Sequence, residues 1–511
     1  MAANEPVIES RSMLWVLVPV LFALLVAAVV GLPLFQDGSS YLLEMLITHS
    51  VIRNGRFTIL LFQLPTIILI KTFLRLGIDT LTTLPIVRLA FNLNYALTPF
   101  ISLFLSWLIV RKKREELLIW AALIILFVNL VNFSWVSELL ISVQFACPLL
   151  LALLLGPRSK TFWILFVILV PFTFFLHPLV LTLYLVMAGA SAYIGYWRPA
   201  DRRAAGISTI LFLLAAAARG IYSFFSLSSY EMTFAATGEV RNYFMISGVE
   251  NLFFIGTAAE LALLILLTKW LVNTESRIVK ALFWLVSLQV LFLFFLTGRL
   301  LLQGNTSFVV SIAGIIPLFL VYLYYSRASS FMQNIRLLYI SYFFLAMTAS
   351  GLLLAQHALN ETPFILKMGS DLFVVLFIMI MAVIDSVRKP MAREYTWRFR
   401  FLIALSVIYL GVLLAKSIMW QTSIQRLEQT LQQTQGTCTE LTPANYQWLE
   451  NTPYTILNNW AVSSLALIIQ DQQPRKLLLA PNDCQLFYQT GEVQIDPWSR
   501  FSQKYIVPPL E

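Results

Sequence analysis

Long apolar runs separated by short polar segments fill the first 420 residues of the chain. A helix needs about 20 consecutive apolar residues to cross a bilayer, and about thirteen runs approach that length. The pattern predicts an all-α polytopic membrane protein. The predicted spans lie at 14–33, 84–110, 117–132, 138–156, 161–177, 178–197, 204–222, 251–271, 279–297, 307–325, 335–356, 371–387 and 399–419.

Composition and charge favour the same class. Of the 511 residues, 59% are hydrophobic and only 12% are charged, a balance that a water-soluble domain of this length does not sustain. The net charge of +9 could indicate a nucleic-acid partner, but the basic residues cluster in short loops between apolar runs, as cytoplasmic loops do. We therefore expect no nucleic-acid partner, and a multi-pass protein of a bacterial inner membrane with a cytoplasmic N-terminus. Residues 1–12 lack the basic segment of a secretory signal, so the first helix is expected to be retained.

The segment 34–83, between the first two spans, has an unusual pattern. Within 57–76 the unbroken apolar core covers only about 12 residues and contains Gln63 and Pro65, and runs that short more often lie on the membrane than cross it. Counting this run as a span would also invert every later basic loop. We therefore predict two interfacial helices, 38–53 and 57–76, on the outer membrane surface. A short true span is the alternative.

The last part of the chain, 421–511, is polar and begins with a Gln-rich stretch. This change of composition predicts a small extracytoplasmic C-terminal domain that follows a membrane domain at 1–420. The domain contains Cys438 and Cys484, which could form a disulfide in an oxidising exterior. Cys147 lies in an apolar span, where we expect it to pack. No Cys/His spacing typical of a metal site occurs in the chain.

Ionisable groups at a membrane boundary are costly and tend to be functional, so the outer ends of the spans hold the candidate residues. Asp37 follows the first span, where a carboxylate at the edge of a low-dielectric region can act as a general base. It is also a good helix N-cap, and the two roles are compatible. Glu44 is seven residues later on a similar helix face, as a second carboxylate or as part of a solvated surface.

Further candidates are polar residues at other outer ends. Glu138, at the start of a span, could bind sugar hydroxyls or support the base, and it could equally cap its helix or extend to the membrane surface. His177 could contact a phosphate or form an ordinary polar turn. Arginine side chains suit phosphate groups, although they can also extend to lipid headgroups. The remaining candidates for substrate binding are Arg56, Arg219, Arg241, Arg299 and Gln303.

Several patterns are missing from the sequence. It contains no Walker A, GxSxG or HExxH motif and no soluble nucleotide-binding domain, so nucleotide-driven chemistry is not expected. Pairs of ionisable residues at mid-depth and internal repeats, which are typical of coupled transporters, are not found either. These absences disfavour a transporter.

The acidic residue of Phe35-Gln36-Asp37-Gly38, the interfacial helices, the many later spans and the exterior C-terminal domain resemble the glycosyltransferase C superfamily. The resemblance implies transfer of a sugar, with inversion, from a polyprenyl-phosphate or polyprenyl-diphosphate carrier to a lipid, glycan or protein acceptor on the outer face. It also implies Asp37 as the base and arginines such as Arg299 at the lipid phosphate. Many members carry paired acidic residues after the first span, whereas this chain has Asp37 with Glu44 offset. No cofactor is therefore expected, and a divalent metal stays open.

Two other functions remain as alternatives. One is a flippase or transporter of lipid-linked saccharides, and the other is a polysaccharide polymerase or ligase. A polymerase or ligase would favour a large outer loop rich in Arg and His, whereas the loop at 226–250 is modest.

Overall fold

A computed structural model describes the chain at residues 10–51, 58–78, 83–111, 113–131, 135–226, 392–433, 436–440, 461–471, 475–479, 482–495 and 500–502, and at isolated positions between 375 and 387. This part is mostly helical. Six of its helices are long and apolar enough to cross a membrane, as expected of a helical integral membrane protein. They are Met13–Val30, Leu84–Val110, Glu138–Leu155, Val180–Trp197, Pro199–Ser223 and Arg398–Gln433.

Each of these six helices coincides with a predicted span. Two further predicted spans, 117–132 and 161–177, form helices of 14 and 15 residues, which is shorter than a full bilayer crossing. The predicted spans between 251 and 356 lie outside the described residues, and the predicted span 371–387 is described only at isolated positions. The total of about thirteen spans therefore stays a prediction.

The described residues of the membrane domain form eleven helices, of which α8 to α10 follow one another with fewer than six residues between them. Prolines lie in the first turns of α4 and α5, where their missing N–H groups cost nothing. The helices are α1 (Ser10–Val30), α2 (Asp37–Thr48), α3 (Ile59–Arg75), α4 (Leu84–Ala96), α5 (Thr98–Val110), α6 (Leu118–Val131), α7 (Glu138–Leu155), α8 (Lys160–Phe174), α9 (Val180–Trp197), α10 (Arg202–Ser226) and α11 (Ala392–Gln433).

Helix α7 lies at the centre of the bundle. Every residue from Glu138 to Leu154 is buried, and the helix packs against α5, α6, α8 and α9. Helix α11 packs along α1 and α6, and α9 pairs with α10. Because α7 has 18 residues, it separates the two ends of the bundle by about 27 Å.

Two helices form in the first loop, and their limits differ from the prediction. Helix α2 ends at Thr48 because His49 takes a left-handed conformation with φ 51°. Helix α3 exposes Leu61, Leu64 and Ile68 and buries Gln63 and Thr66. Apolar side chains outside and polar ones inside are typical of a helix in contact with lipid. Whether α3 lies on the membrane or crosses it stays a prediction.

The predicted domain boundary at 420/421 falls inside a continuous helix, because α11 extends to Gln433. The Gln, Arg and Glu residues beyond position 420 are good helix formers, so the change of composition does not end the helix.

The C-terminal domain contains short strands that the all-α prediction did not include. Strands β1 (Cys438–Glu440) and β2 (Leu477–Leu479) pair in parallel, with Cys438 opposite Leu477. Strands β3 (Glu492–Gln494) and β4 (Arg500–Ser502) form an antiparallel pair. The domain also contains α12 (Val462–Ile469) and α13 (Asp483–Thr490). A disulfide between Cys438 and Cys484 joins β1 to α13.

Candidate functional site

The turn between α1 and α2 holds Asp37 in a strained setting. Gln36, directly before it, has φ 49° and ψ −114°, a conformation that residues other than glycine rarely adopt. Such strain persists only where the surrounding structure enforces it, and it is concentrated at functional sites. The Ser39 hydroxyl donates to the Gln36 carbonyl at 2.9 Å, which fixes the turn. Asp37 is the first residue of α2, and its side chain is half-buried.

Gly38 allows this turn to pack tightly. A Cβ at this position would overlap the Pro33 carbonyl oxygen and would lie 3.1 Å from Cγ2 of Val136. Only a residue without a side chain fits there. The start of α2 is thereby brought against the segment that precedes α7.

Two carboxylates and two tyrosines meet at this end of the bundle. Glu138, the first residue of α7, is 4% exposed, and the Tyr41 hydroxyl donates to its Oε1 at 2.9 Å. Tyr41 lies one helical turn after Asp37, hence on the same face of α2. Tyr95 of α4 is fully buried and lies within electrostatic range of both carboxylates. We call these four residues the acid cluster, and the bundle end that contains them the Asp37 end.

Two buried hydrogen-bonding atoms, one in the acid cluster and one beside it, have no partner among the described residues. The first is the Tyr95 hydroxyl, and the second is Nε1 of Trp135, which comes three residues before Glu138. Buried polar groups are nearly always hydrogen-bonded, so a polar ligand would satisfy both. Carboxylates that accept hydrogen bonds, beside O–H and N–H donors, suit a ligand rich in hydroxyl groups.

Aromatic rings border the acid cluster. Phe62 stacks on Tyr95 with ring centroids 5.8 Å apart, and it meets Phe172 of α8 edge-on at 6.0 Å. Phe145 of α7 contacts the same Phe172 at 4.9 Å. These rings connect the acid cluster to the end of α8.

His177 and Arg219, two of the predicted substrate-binding residues, lie together beyond these rings. Arg219 is 3% exposed, and its Nε donates to the His177 carbonyl at 3.3 Å. The guanidinium also lies over the rings of Phe174 and Tyr222, at 5.6 and 5.1 Å. His177 Nδ1 accepts the Leu179 N–H at 3.2 Å, so the ring proton is on Nε2.

The other predicted site residues are further away or not described. Glu44 is half-buried and lies two turns beyond Asp37, about 10 Å along the axis of α2, so these two carboxylates are not a close pair. Arg56, Arg241, Arg299 and Gln303 lie outside the described residues.

The C-terminal domain contacts the helix that carries Asp37. Helix α12 is buried throughout and packs on α2, where the Ser39 hydroxyl donates to the Ala461 carbonyl at 3.3 Å. At the other end of α12, Arg88 donates to the carbonyls of Ile468 and Ile469 at 3.0 and 3.3 Å and pairs with Asp471 at 3.4 Å. A cation at a helix C-terminus is favoured by the helix dipole, so both ends of α12 are fastened to the membrane domain.

Sequence reasoning missed Tyr41, Tyr95, Trp135 and Arg88. The spacing of four residues between Asp37 and Tyr41 could have indicated a shared helix face, and Trp135 lies close before Glu138. Tyr95 and Arg88 lie in one long apolar run, where nothing in a single sequence distinguishes them.

The opposite end of the bundle collects basic residues from three predicted cytoplasmic loops. Arg398 pairs with Asp385, and Arg114 and Arg198 both donate to the Ser386 carbonyl. Arg198 also donates to the Leu154 carbonyl at the end of α7, at 2.8 Å. Burial and the charge of Arg114 lower the pKa of Arg198, against the opposing effect of Asp201. We call this part of the bundle the Arg398 end. The length of α7 separates it from the Asp37 end.

Comparisons of the chain with protein-family models, with curated proteins and with solved structures find no match. We therefore infer function from the acid cluster and the residues around it.

Proposed function

We propose that the protein is a membrane glycosyltransferase that moves a sugar from a polyprenyl-phosphate or polyprenyl-diphosphate carrier to a lipid, glycan or protein acceptor on the outer face. The observation that carries this proposal is that two carboxylates lie at the same end of a bundle of long apolar helices. Asp37 begins α2, whose Gly38 packs against Val136, and the buried Glu138 accepts a hydrogen bond from Tyr41 of α2. A carrier lipid presents its phosphate and sugar at that depth. The strained backbone at Gln36 and the buried, unpartnered Tyr95 hydroxyl give further support.

In this proposal Asp37 is the general base. Its carboxylate accepts the proton of an acceptor hydroxyl while the hydroxyl oxygen attacks the anomeric carbon from the side opposite the carrier. The bond between that carbon and the phosphate oxygen breaks, and the phosphate leaves with the electron pair, so the configuration inverts. A positioned general base typically accelerates such a reaction by a factor on the order of 10²–10⁴.

The remaining residues would hold the substrates. Glu138, fixed by Tyr41, would accept hydrogen bonds from sugar hydroxyls, and Tyr95 and Trp135 would donate to sugar oxygens. Phe62 would offer a flat apolar face beside them. Arg219 with His177, and the predicted Arg241 and Arg299, remain candidates for the carrier phosphate.

A donor panel tests the proposal. Purified protein in proteoliposomes would be given radiolabelled polyprenyl-phosphate sugars, polyprenyl-diphosphate sugars and nucleotide sugars, together with a membrane-lipid extract as acceptor. We expect label to move to the acceptor from at least one lipid-linked donor and from no nucleotide sugar. Proteoliposomes without the protein serve as the blank. Transfer from nucleotide sugars alone would contradict the proposal.

A flippase of lipid-linked saccharides is the second candidate, and one observation favours it. Lys416 is 2% exposed within the α11 span, and ionisable residues inside membranes often line transport pathways. The same proteoliposomes distinguish the two functions. Movement of labelled lipid-linked sugar between leaflets, without any transfer to acceptor, would favour the flippase.

A further inference from the structure

Two turns of the chain meet at the Arg398 end and bring basic side chains together. One joins α7 to α8 and the other joins α9 to α10. Nε of Arg158 in the first turn lies 3.6 Å from Oδ1 of Asp201 in the second, so the two turns are neighbours. We call their five basic residues the basic corner. They are Arg158, Lys160, Arg198, Arg202 and Arg203.

Most of the basic corner is open to its surroundings. The side chain of Arg158 is 60% exposed, and Lys160, Arg202 and Arg203 are exposed as well. Asp201 is the carboxylate that pairs with the basic corner among the described residues. Five cations therefore face one carboxylate, and the surface keeps an excess of positive charge.

Two exposed aromatic side chains adjoin the basic corner. Tyr196 and Trp197, which end α9 directly before Arg198, are 76% and 56% exposed, and their rings meet edge-on with centroids 5.4 Å apart. Tyr and Trp at the ends of membrane spans lie at the level of the lipid headgroups. Because α9 is long and apolar enough to cross a membrane, its end and the adjoining basic corner are expected at that level.

Exposed apolar side chains continue from the basic corner along α8 and α10. The two helices are in contact, since the ring of Phe166 meets that of Phe212 edge-on with centroids 5.0 Å apart. The exposed apolar residues are Ile164, Val167 and Ile168 of α8 and Ile207, Ile210 and Leu214 of α10. They begin four residues after Lys160 and Arg203, about 6 Å along each helix axis. Basic and apolar surfaces thus follow one another in the order of a lipid headgroup and its acyl chains.

We propose that the basic corner is a binding site for an anionic phospholipid. Its headgroup lies on Lys160, Arg202 and Arg203, and its acyl chains lie along the exposed residues of α8 and α10. Clustered basic residues between the ends of membrane helices attract anionic headgroups. The apolar residues favour a lipid over an acidic protein or free phosphate, neither of which would cover them. Because the basic corner and the acid cluster lie at opposite ends of the bundle, this proposal does not depend on the proposed function.

Lipid binding to the full-length protein tests the site. The protein in dodecyl maltoside would be titrated with phosphatidylglycerol or with phosphatidylcholine of the same acyl chains, and native mass spectrometry would count the bound lipids. We expect the first phosphatidylglycerol to bind at least about fivefold more tightly than the first phosphatidylcholine. Lys160→Gln combined with Arg203→Gln should weaken phosphatidylglycerol binding about tenfold or more, because each basic residue contributes about fivefold. Binding of phosphatidylcholine should not change.

Matched variants separate the site from a general effect of charge. Lys71→Gln combined with Arg75→Gln also removes two exposed basic residues, but from α3, which is not part of the basic corner, and should leave phosphatidylglycerol binding unchanged. Lys160→Arg combined with Arg203→Lys keeps both charges and should bind within about twofold of the wild type. The single variants Lys160→Gln and Arg203→Gln, each expected to lose about fivefold, keep the test decisive if the double variant does not fold.

Four results would overturn the proposal. They are equal affinity for the two lipids, unchanged phosphatidylglycerol binding in the Lys160 and Arg203 variants, an equal loss in the α3 variant, and displacement of the lipid by an excess of inorganic phosphate. The last result would mean that the basic corner binds free phosphate and that the apolar residues of α8 and α10 contribute nothing.

Discussion

At the scale of single residues, Asp37 is positioned by neighbours that have little freedom to change. Gln36 is held at positive φ, and Gly38 packs against the backbone of Pro33. Gln36 belongs to the turn, and Gly38 is the second residue of α2. The carboxylate therefore depends on the turn for its direction, since α2 begins at Asp37 itself.

Gly38→Ala should disrupt this turn. Its Cβ would overlap the Pro33 carbonyl oxygen, and because backbone cannot move aside as a side chain can, we expect a cost of about 3 kcal/mol, the upper end of typical overpacking. Denaturant titration in detergent measures the free energy of unfolding. Gly206→Ala is the control, since nothing lies within 4 Å of its Cβ position, and it should stabilise α10 by about 0.5–1 kcal/mol. Equal stability of the two variants would contradict the packing described at Gly38.

Tyr41→Phe should destabilise the acid cluster. It removes the buried hydrogen bond to Glu138, which measures 2.9 Å, and leaving a buried acceptor without its donor costs about 1–3 kcal/mol. Tyr488→Phe is the matched control, because Tyr488 is 54% exposed and should change stability by less than about 0.5 kcal/mol. The same titration compares the two variants. A Tyr41→Phe protein as stable as the control would show that Glu138 does not need this partner.

At the scale of elements, the contact between α12 and α2 couples the C-terminal domain to the candidate site. Ser39 fastens one end of α12 and Arg88 the other. Both ends of this buried helix are therefore held against the membrane domain.

Arg88→Met should release the C-terminal end of α12. The carbonyls of Ile468 and Ile469 and the carboxylate of Asp471 would lose their cation, so thermolysin should cut the C-terminal domain several times faster than in the wild type. Arg88→Lys should restore part of the protection. Arg202→Met, a change of an exposed arginine at the Arg398 end, is the control. Identical digestion of Arg88→Met and wild type would mean that α12 is held by other contacts.

The sequence was sufficient to predict the long helices, because a span needs only length and apolar composition. It was not sufficient to predict where α11 ends, since residues such as Gln425 and Gln429 continue a helix in water as readily as they would form a loop. The three-residue strands are too short to show an alternating pattern. Tyr41 and Glu138 are 97 residues apart, and a single sequence contains no signal for such a pair.

At the scale of the whole molecule, α7 separates a carboxylate-bearing end from a basic end. Arg114, Arg198 and Arg398 come from separate loops and converge around Asp385 and Ser386. The charge pattern predicted that these loops share one side of the membrane. The positive-inside rule predicts that this side is the cytoplasm and that the Asp37 end faces outward.

Thiol labelling tests this orientation. Lys71→Cys lies on the exposed face of α3 and should react with a membrane-impermeant maleimide in intact cells. Arg158→Cys, at a side chain 60% exposed near the Arg398 end, should react only after permeabilisation. The native background is low, because Cys147 is buried and the other two cysteines form a disulfide. If Lys71→Cys is labelled only from the cytoplasm, α3 crosses the membrane and the resemblance to glycosyltransferase C enzymes fails.

The most direct test of the account is the rate of sugar transfer by Asp37→Asn protein, measured with the lipid-linked donor that the wild type uses. Glu492→Gln, an exposed carboxylate of the C-terminal domain, is the control and should transfer at the wild-type rate. We expect Asp37→Asn to melt within a few degrees of the wild type and to transfer sugar at least about 100-fold more slowly, as for the loss of a general base. A folded Asp37→Asn protein that transfers sugar at the wild-type rate would contradict the assignment of Asp37 as the base.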